Sequence, residues 1–403
     1  MSALYLSSPG LINALGPTPE EIWKRLLAGS QQGMVRRDGL LMGGEVHVGA
    51  VSAPLSQVAG DPRFDSRNNR LLYAAYRQIA TPVQDLIARH GRGRIAVVLG
   101  SSTSGVSDTE TALQNLEQQG SFPPGFHYYQ HEMGSPALFL ASLLRLENAA
   151  MTISTACSSS AKAFVSARNL IKAGICDAAL VGGVDTLCKL TINGFHALES
   201  VSPRICNPFS RNRDGITIGE AAALFILSPE PSAIELAGTG ESADAYHMSA
   251  PDPSGAGAET VMRQALGDAG IAPAEIGYVN LHGTATPKND EMEAAAVNRV
   301  FGEGTPCSST KALTGHTLGA AGATELGLCW LALSGLNPGR ALPPHVWDGT
   351  RDERLAAIKL AAPGDVYADR RDCYMMSNSF AFGGSNVSLI IKRNAVFATG
   401  NNQ

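Results

Sequence analysis

Four stretches of this 403-residue chain carry residues whose types and spacing could do chemistry. The first holds Cys157, in Ile-Ser-Thr-Ala-Cys-Ser-Ser-Ser-Ala-Lys-Ala-Phe (153–164). An apolar run precedes it and an amphipathic stretch follows, so the cysteine falls on a strand-to-helix turn. A thiol there faces the unpaired N–H groups and positive dipole end of the helix, which favour the thiolate. Thr155-Ala156 before it and Ser158-Ser159-Ser160 after it are small or polar and leave room for a substrate. Most free cysteines simply pack, and Cys176, Cys188, Cys206, Cys307, Cys329 and Cys373 read that way. Cys157 reads as a nucleophile.

The second stretch is Val-Asn-Leu-His-Gly-Thr-Ala-Thr-Pro (279–287). An apolar strand delivers His282 at its C-terminal end, where open α/β sheets bind ligands, and Thr284 and Thr286 offer hydroxyls on the same loop. A core histidine satisfied by a carbonyl is the competing reading. The third runs from Lys311 through His316 to Glu325, with small residues at Gly319, Ala320, Ala321, Gly322 and Ala323 that let a helix pack closely. A helix N-terminus disfavours imidazolium, so His316 is expected to be neutral. The fourth is Ser377-Asn-Ser-Phe-Ala-Phe-Gly-Gly-Ser-Asn386, in which Gly383-Gly384 could turn backbone N–H groups toward an oxyanion.

These stretches need elements to hold them. Strands are expected at 95–99, 150–154, 178–181, 222–227, 276–281, 374–377 and 387–391. Most are continuous apolar runs, as in strands covered on both faces. Helices are expected at 20–28 behind an N-cap at Thr18, and at 158–173, 259–269, 290–300 and 318–333. Alternating strands and helices predict a layered α/β fold. A Pro-rich break at 227–232 divides the chain into residues 1–232, with the cysteine, and 233–403, with both histidines. No sequence repeat aligns the two parts. The tail Ala398–Gln403 is polar and expected to fray.

Composition narrows the class. Charged residues are 17% against a usual ~25%, as for a chain with a large core. With 31 Lys and Arg against 36 Asp and Glu, the net charge of −5 argues against a nucleic-acid coat and leaves room only for local basic patches. No run of ~18 apolar residues crosses a membrane, no secretory signal opens the chain, and no C-x-x-C pair suggests a zinc clamp or disulfide frame. The expectation is a cytoplasmic protein without metal or cofactor.

Taken in order, S-T-A-C-S-S, N-x-H-G-T-x-T, K-x-x-x-G-H-x-x-G-A-A-G-A-x-E and N-S-F-x-F-G-G-S-N resemble the β-ketoacyl-acyl-carrier-protein synthases of the elongating, Cys-His-His type. Pro208–Gly215 (P-F-S-R-N-R-D-G) resembles them too. The resemblance implies a thiolase-like fold, two similar halves in a five-layered α-β-α-β-α sandwich, used as a dimer. It implies that Cys157 takes an acyl chain from a carrier protein's phosphopantetheine. His282 and His316 then promote malonyl decarboxylation, and the backbone N–H groups of Cys157 and Phe382 form the oxyanion hole. Lys311 and Glu325 would support the histidines, Phe382 would gate the nucleophile, and Thr284 and Thr286 would hold pantetheine. Arg63, Arg67, Arg70 and Arg204 resemble the docking surface for an acidic acyl carrier protein. Ser121–Tyr129 lacks the basic docking stretch of the fatty-acid enzymes, so the resemblance leaves two chains to be extended by two carbons: a fatty-acid chain, or a polyketide or polyene (aryl-polyene) chain. The partner is then a second copy or a related, catalytically silent chain-length subunit in a heterodimer. A CoA thiolase would need a second cysteine beside the C-terminal glycines, where this chain has Phe382. The synthases that start chains from acyl-CoA resemble Cys-His-Asn instead.

Overall fold

Strands form where the sequence is apolar on both faces. In the computed structural model, which describes residues 3–368, 370 and 372–394, every residue of five of them is buried. The tail 398–403 lies outside the described residues. The framework strands are β1 (Tyr5–Leu6), β2 (Gly10–Ile12), β3 (Ile95–Gly100), β4 (Ala150–Ile153), β5 (Ala178–Asp185) and β6 (Ala221–Ser228). They continue as β7 (Ile234–Ala243), β8 (Ile276–Asn280), β9 (Pro306–Ser308), β10 (Cys373–Phe380) and β11 (Ser385–Arg393).

Their pairing shows an internal duplication that the residues do not. In the first half the order is β2-β6-β5-β3-β4, with the first two pairings antiparallel and the last two parallel. In the second it is β7-β11-β10-β8-β9, with the same two antiparallel and two parallel pairings. The two-residue strand β1 pairs antiparallel with both β6 and β7 and joins the halves. Strand β7 was not expected from the sequence. It alternates buried and half-buried residues and carries two glycines, so its apolar signal is diluted.

Helices fill three layers. The outer faces are covered by α1 (Arg67–Gln78) and α2 (Ser135–Leu144) on the first half, and by α4 (Ala256–Ala269) and α5 (Pro287–Phe301) on the second. Between the sheets lie α3 (Ser159–Lys172), packed on β3 and β5, and α6 (Ala321–Leu333), packed on β10 and β6. All residues of α6 are buried, as its nearly uncharged sequence requires. The two helices touch where a Cβ on Gly322 would sit 2.8 Å from the Ala161 nitrogen, so only glycine fits at that crossing. Ser160 Oγ accepts a hydrogen bond from the Ala323 N–H at 2.9 Å beside it. The expected five-layered thiolase-like sandwich is the architecture found. Because the halves are duplicated, α3 and α6 occupy equivalent places, and Cys157 and His316 both lie just before these central helices.

Thr18 caps the Pro19–Leu27 helix, accepting the Glu21 N–H, as expected. Among the described residues no helix is long and apolar enough to cross a membrane.

Candidate active site

Cys157 stands between β4 and α3 on a strained turn: Ala156 before it has φ +50°, a left-handed conformation unusual for alanine. The serines around it hold that turn rather than leave room for substrate. Ser159 Oγ accepts the Thr155 N–H and donates to the Ala156 carbonyl, Ser158 Oγ donates to the Thr155 carbonyl, and all three serines are fully buried. The expectation of a dipole-ionised thiolate is overturned. Cys157 is 4% exposed, and burial pushes its thiol up to about 11, only partly offset by the Phe382 N–H and by Lys311. Desolvation works against the thiolate that a helix N-terminus would favour.

The proton has a receiver. His316 Nε2 lies 3.0 Å from Cys157 Sγ, and the His282 ring stands edge-on to that of His316 at 5.4 Å between centroids. One donor atom from each of the three residues lies within 4.8 Å of the others. Burial, then the charge of Lys311, holds both imidazoles well below the usual histidine range, so both are neutral. The neutrality expected for His316 holds, though the principal cause is desolvation. Neither Nδ1 has a hydrogen-bond partner among the described residues, so the Nδ1 side of neither ring is tied, and the Cys157 contact at Nε2 is the one that bears on the His316 tautomer. His345 shows the contrasting structural case: it is equally buried, but its Nδ1 accepts the Ser309 N–H and its Nε2 meets the Pro208 carbonyl.

Backbone, rather than ring contacts, positions the histidines. The His316 N–H donates to Thr217 O and its carbonyl accepts from Gly219, an anchorage on the short strand Ile218–Gly219. Lys311, fully buried, donates through Nζ to the His282 carbonyl and to the Glu325 carboxylate. Burial raises Glu325 above the usual carboxylate range, and Lys311 opposes that. Three further carboxylates escaped the sequence reading. Glu293 accepts the His282 and Gly283 N–H groups, both at 2.7 Å, and burial pushes it up to about 8. Asp290 accepts from Phe209 and Ala285. Asp185 at the end of β5 gathers Ser101, Ser102, Thr103 and the Ala320 N–H, tying the loop after β3 to the start of the central helix of the other half. Spacing on α5 (Asp290, Glu293) was the one available sign.

A cavity of about 20 Å³, room for about one water, is bounded by Cys157, His282, His316, Thr284, Phe195 and Phe382. Phe382 leans on Phe195, 5.5 Å between centroids, at the mouth. Its backbone N–H reaches the Cys157 sulfur. Gly383 and Gly384 do adopt positive φ, +84° and +81°, but they supply no free donors. The Gly383 N–H is held by the Met248 carbonyl and the Gly384 N–H by Ala381, so their expected substrate contact is withdrawn. Thr284 lines the cavity; Thr286 stands behind it, bonded to Thr284 through the hydroxyls at 3.0 Å.

Each of the four arginines expected to dock a carrier protein is engaged by a carboxylate of this chain. Arg63 pairs with Asp61, Arg67 with the buried Glu220, Arg70 with Asp65 and Arg204 with Asp214. Arg63 and Arg204 keep more than half their side-chain surface in solvent, whereas Arg67 is committed inward.

A buried thiol, a neutral imidazole within hydrogen-bond reach and a second imidazole beside it, on a thiolase-like fold, define a thiol acyltransferase able to stabilise an enolate. Comparisons with known proteins narrow the class. The profile for the beta-ketoacyl synthase N-terminal domain matches residues 71–233 and that for the C-terminal domain matches 233–344. The chain therefore belongs to the beta-ketoacyl synthase family. The 3-oxoacyl-[acyl-carrier-protein] synthase 2 of Vibrio cholerae serotype O1 is 31% identical over 97% of this chain and 99% of its own. Among solved structures, a chain of the ketosynthase ApeO in complex with its chain length factor ApeC, from Xenorhabdus doucetiae, is 49% identical. It superposes with a TM-score of 0.92 over 97% of this chain and 98% of that one. A chain of the ishigamide ketosynthase/chain length factor is 26% identical, with a TM-score of 0.84 over 98% of this chain and 99% of its own. The protein is a beta-ketoacyl synthase, catalysing the condensation that this family performs.

Proposed function

We propose that Cys157 is the acyl-bearing nucleophile, His316 its proton acceptor, and His282 with His316 the donors that stabilise the malonyl enolate. The observation that carries this reading is the 3.0 Å contact between Cys157 Sγ and His316 Nε2 beside a second neutral imidazole. In acyl loading the Sγ–H proton passes to His316 Nε2 as sulfur attacks the carrier thioester. The proton then leaves on the departing pantetheine thiol. In the second half-reaction malonyl-carrier protein enters and its C–CO₂ bond breaks. The electron pair is held as an enolate whose oxygen accepts the imidazole N–H donors in a dry site. The enolate carbon attacks the acyl thioester, the N–H groups of Cys157 and Phe382 face the tetrahedral oxyanion, and collapse expels the Cys157 thiolate, which takes up a proton from solvent by way of His316 to restore the thiol. The chain grows by two carbons. Phe382 has to swing off Phe195 for either substrate, since the closed cavity admits about one water.

The substrate is a carrier-bound polyketide or polyene chain, and the partner a related chain-length subunit. Two observations support this. The chain is 49% identical to one of the ApeO–ApeC ketosynthase and chain length factor complex. Among the described residues strand β4 pairs on one side only, leaving an open sheet edge with exposed Met151, and Leu138, Phe122, Tyr128 and Met133 are also exposed nearby in sequence. The uncharged stretch 121–129 then serves a subunit contact rather than a basic carrier dock. Mass spectrometry tests both claims: the protein isolated from its native cells should carry a multiply unsaturated acyl group on Cys157 and a stoichiometric second subunit. A saturated acyl group and a homodimer would make it a fatty-acid enzyme.

A further inference from the structure

We propose that Cys157, His282 and His316 also form a site for zinc or another soft divalent cation, and that its occupancy switches the synthase off. The three donor atoms lie within 4.8 Å of one another, and all three residues are buried. Zn²⁺ takes thiolate at about 2.3 Å and imidazole nitrogen at about 2.0–2.1 Å, which in a tetrahedron sets donors roughly 3.3–3.6 Å apart. The Cys157–His316 contact of 3.0 Å must therefore open by about half an ångström and His282 move inward by an ångström or so. Among the described residues neither Nδ1 is tied to a partner that would oppose such turns through the rings' far nitrogens.

One thiolate and two imidazoles are a three-residue zinc set with an open position, and the adjoining cavity of about 20 Å³ holds the water that would fill it. Binding breaks the Sγ–H bond, releases that proton to solvent and forms a sulfur–metal bond, while both rings stay neutral. The site then carries one net positive charge, tolerable because neighbouring Lys311 is already paired with Glu325. Zinc-binding histidines normally donate their other N–H to a carboxylate or carbonyl. These two do not, so the site is suited to reversible occupation rather than to a resident metal. Metal on sulfur and both rings consumes the nucleophile's lone pair and both donors together. Conversely, a thioester on Cys157 removes the thiolate, so acylated enzyme is protected. Hard cations such as Mg²⁺, which prefer oxygen, are excluded by ligand type.

The test uses the chelator-stripped protein with any co-purifying subunit and needs no turnover. Equimolar Zn²⁺ should remain with the protein through gel filtration at one ion per Cys157. It should slow iodoacetamide labelling of Cys157 at least tenfold, with EDTA restoring the rate and Mg²⁺ having no effect. Co²⁺ should give intense tetrahedral bands and a sulfur-to-metal charge-transfer band, absent after Cys157 is alkylated and absent in Cys157→Ala. Zinc retained equally by the alkylated wild-type protein, or labelling unaffected by zinc, overturns the proposal. Alkylation of the folded protein serves as the control should the alanine variant misfold. Because metal retention and labelling are read directly, failure here leaves the condensation chemistry untouched.

Discussion

The pH profile of Cys157 alkylation separates two ways of activating a thiol. With the thiol pushed up to about 11, roughly three in ten thousand molecules carry a thiolate at pH 7.5. Alkylation by iodoacetamide, a small neutral reagent, should then rise about tenfold per pH unit from pH 7 to 10 without levelling. Had the dipole of α3 ionised the thiol, its pKa would fall at or below about 7.5 and the rate would be flat above about pH 8.5. The measurement is a pH series of short labelling pulses with the peptide carrying residue 157 quantified by mass spectrometry. The other six cysteines are buried and provide the internal background. A rate that levels above about pH 8.5 would refute the claim that burial keeps this thiol protonated. Acyl transfer from a carrier protein should behave differently. Its proton goes to His316, so its rate should vary little between pH 7 and 9, and His316→Ala should lower it by about 10²–10³. His282→Ala should leave loading largely intact and abolish malonyl decarboxylation. Equal losses from both variants in both steps would show that the division of labour is wrong.

Three more outcomes follow from the packing and charge. Lys311→Met leaves the Glu325 carboxylate and the His282 carbonyl buried without their donor, and should destabilise the protein by about 3–5 kcal/mol in urea unfolding. Lys311→Met with Glu325→Leu should recover much of that stability but none of the activity. Gly322→Val drives a side chain into Ala161; a stability loss of about 1–3 kcal/mol should come with a fall in kcat, as α3 and α6 separate and carry Cys157 away from His316. Arg63→Glu with Arg204→Glu should raise KM for the carrier protein about three- to tenfold at low salt and little at high salt, whereas Arg67→Glu should chiefly lower Tm, because it sets a carboxylate against buried Glu220.

What was legible in the sequence was what depends on the order of residue types. Continuous apolar runs gave the doubly covered strands, glycines marked the helix ends, and four short motifs carried the nucleophile, both histidines and Lys311. What was not legible depends on distance in space. Burial of Cys157 by both halves decides its ionisation, and no local pattern around residue 157 encodes how deep it lies. Asp185 and Glu293 each fix backbone N–H groups of a catalytic loop, yet in sequence they are ordinary acids at a strand end and on a helix. The Gly383-Gly384 donors looked free because their acceptors, Met248 and Ala381, come from a different loop and from the turn itself.

The duplication explains why the site assembles at all. In each half a parallel strand leads by way of a turn into the central helix, and the two central helices cross at Gly322 and Ala161 with only the Ala161 methyl between them. That crossing sets the separation of the turns preceding both helices, and those turns carry Cys157 and His316. His282 comes from a third place, the end of β8, and is held there by Glu293 and Lys311 through its own backbone. Two of the three groups are thus fixed by one helix crossing, and the third by a buried carboxyl and a buried ammonium acting on a main chain. Changes at the crossing should therefore alter Cys157 and His316 together, while changes at Glu293 should alter His282 alone. The neutral variant Glu293→Gln offers an amide N–H where the His282 or Gly283 N–H needs an acceptor. It should cost decarboxylation and spare the alkylation profile of Cys157; a shifted profile would mean that the three groups are positioned as one unit.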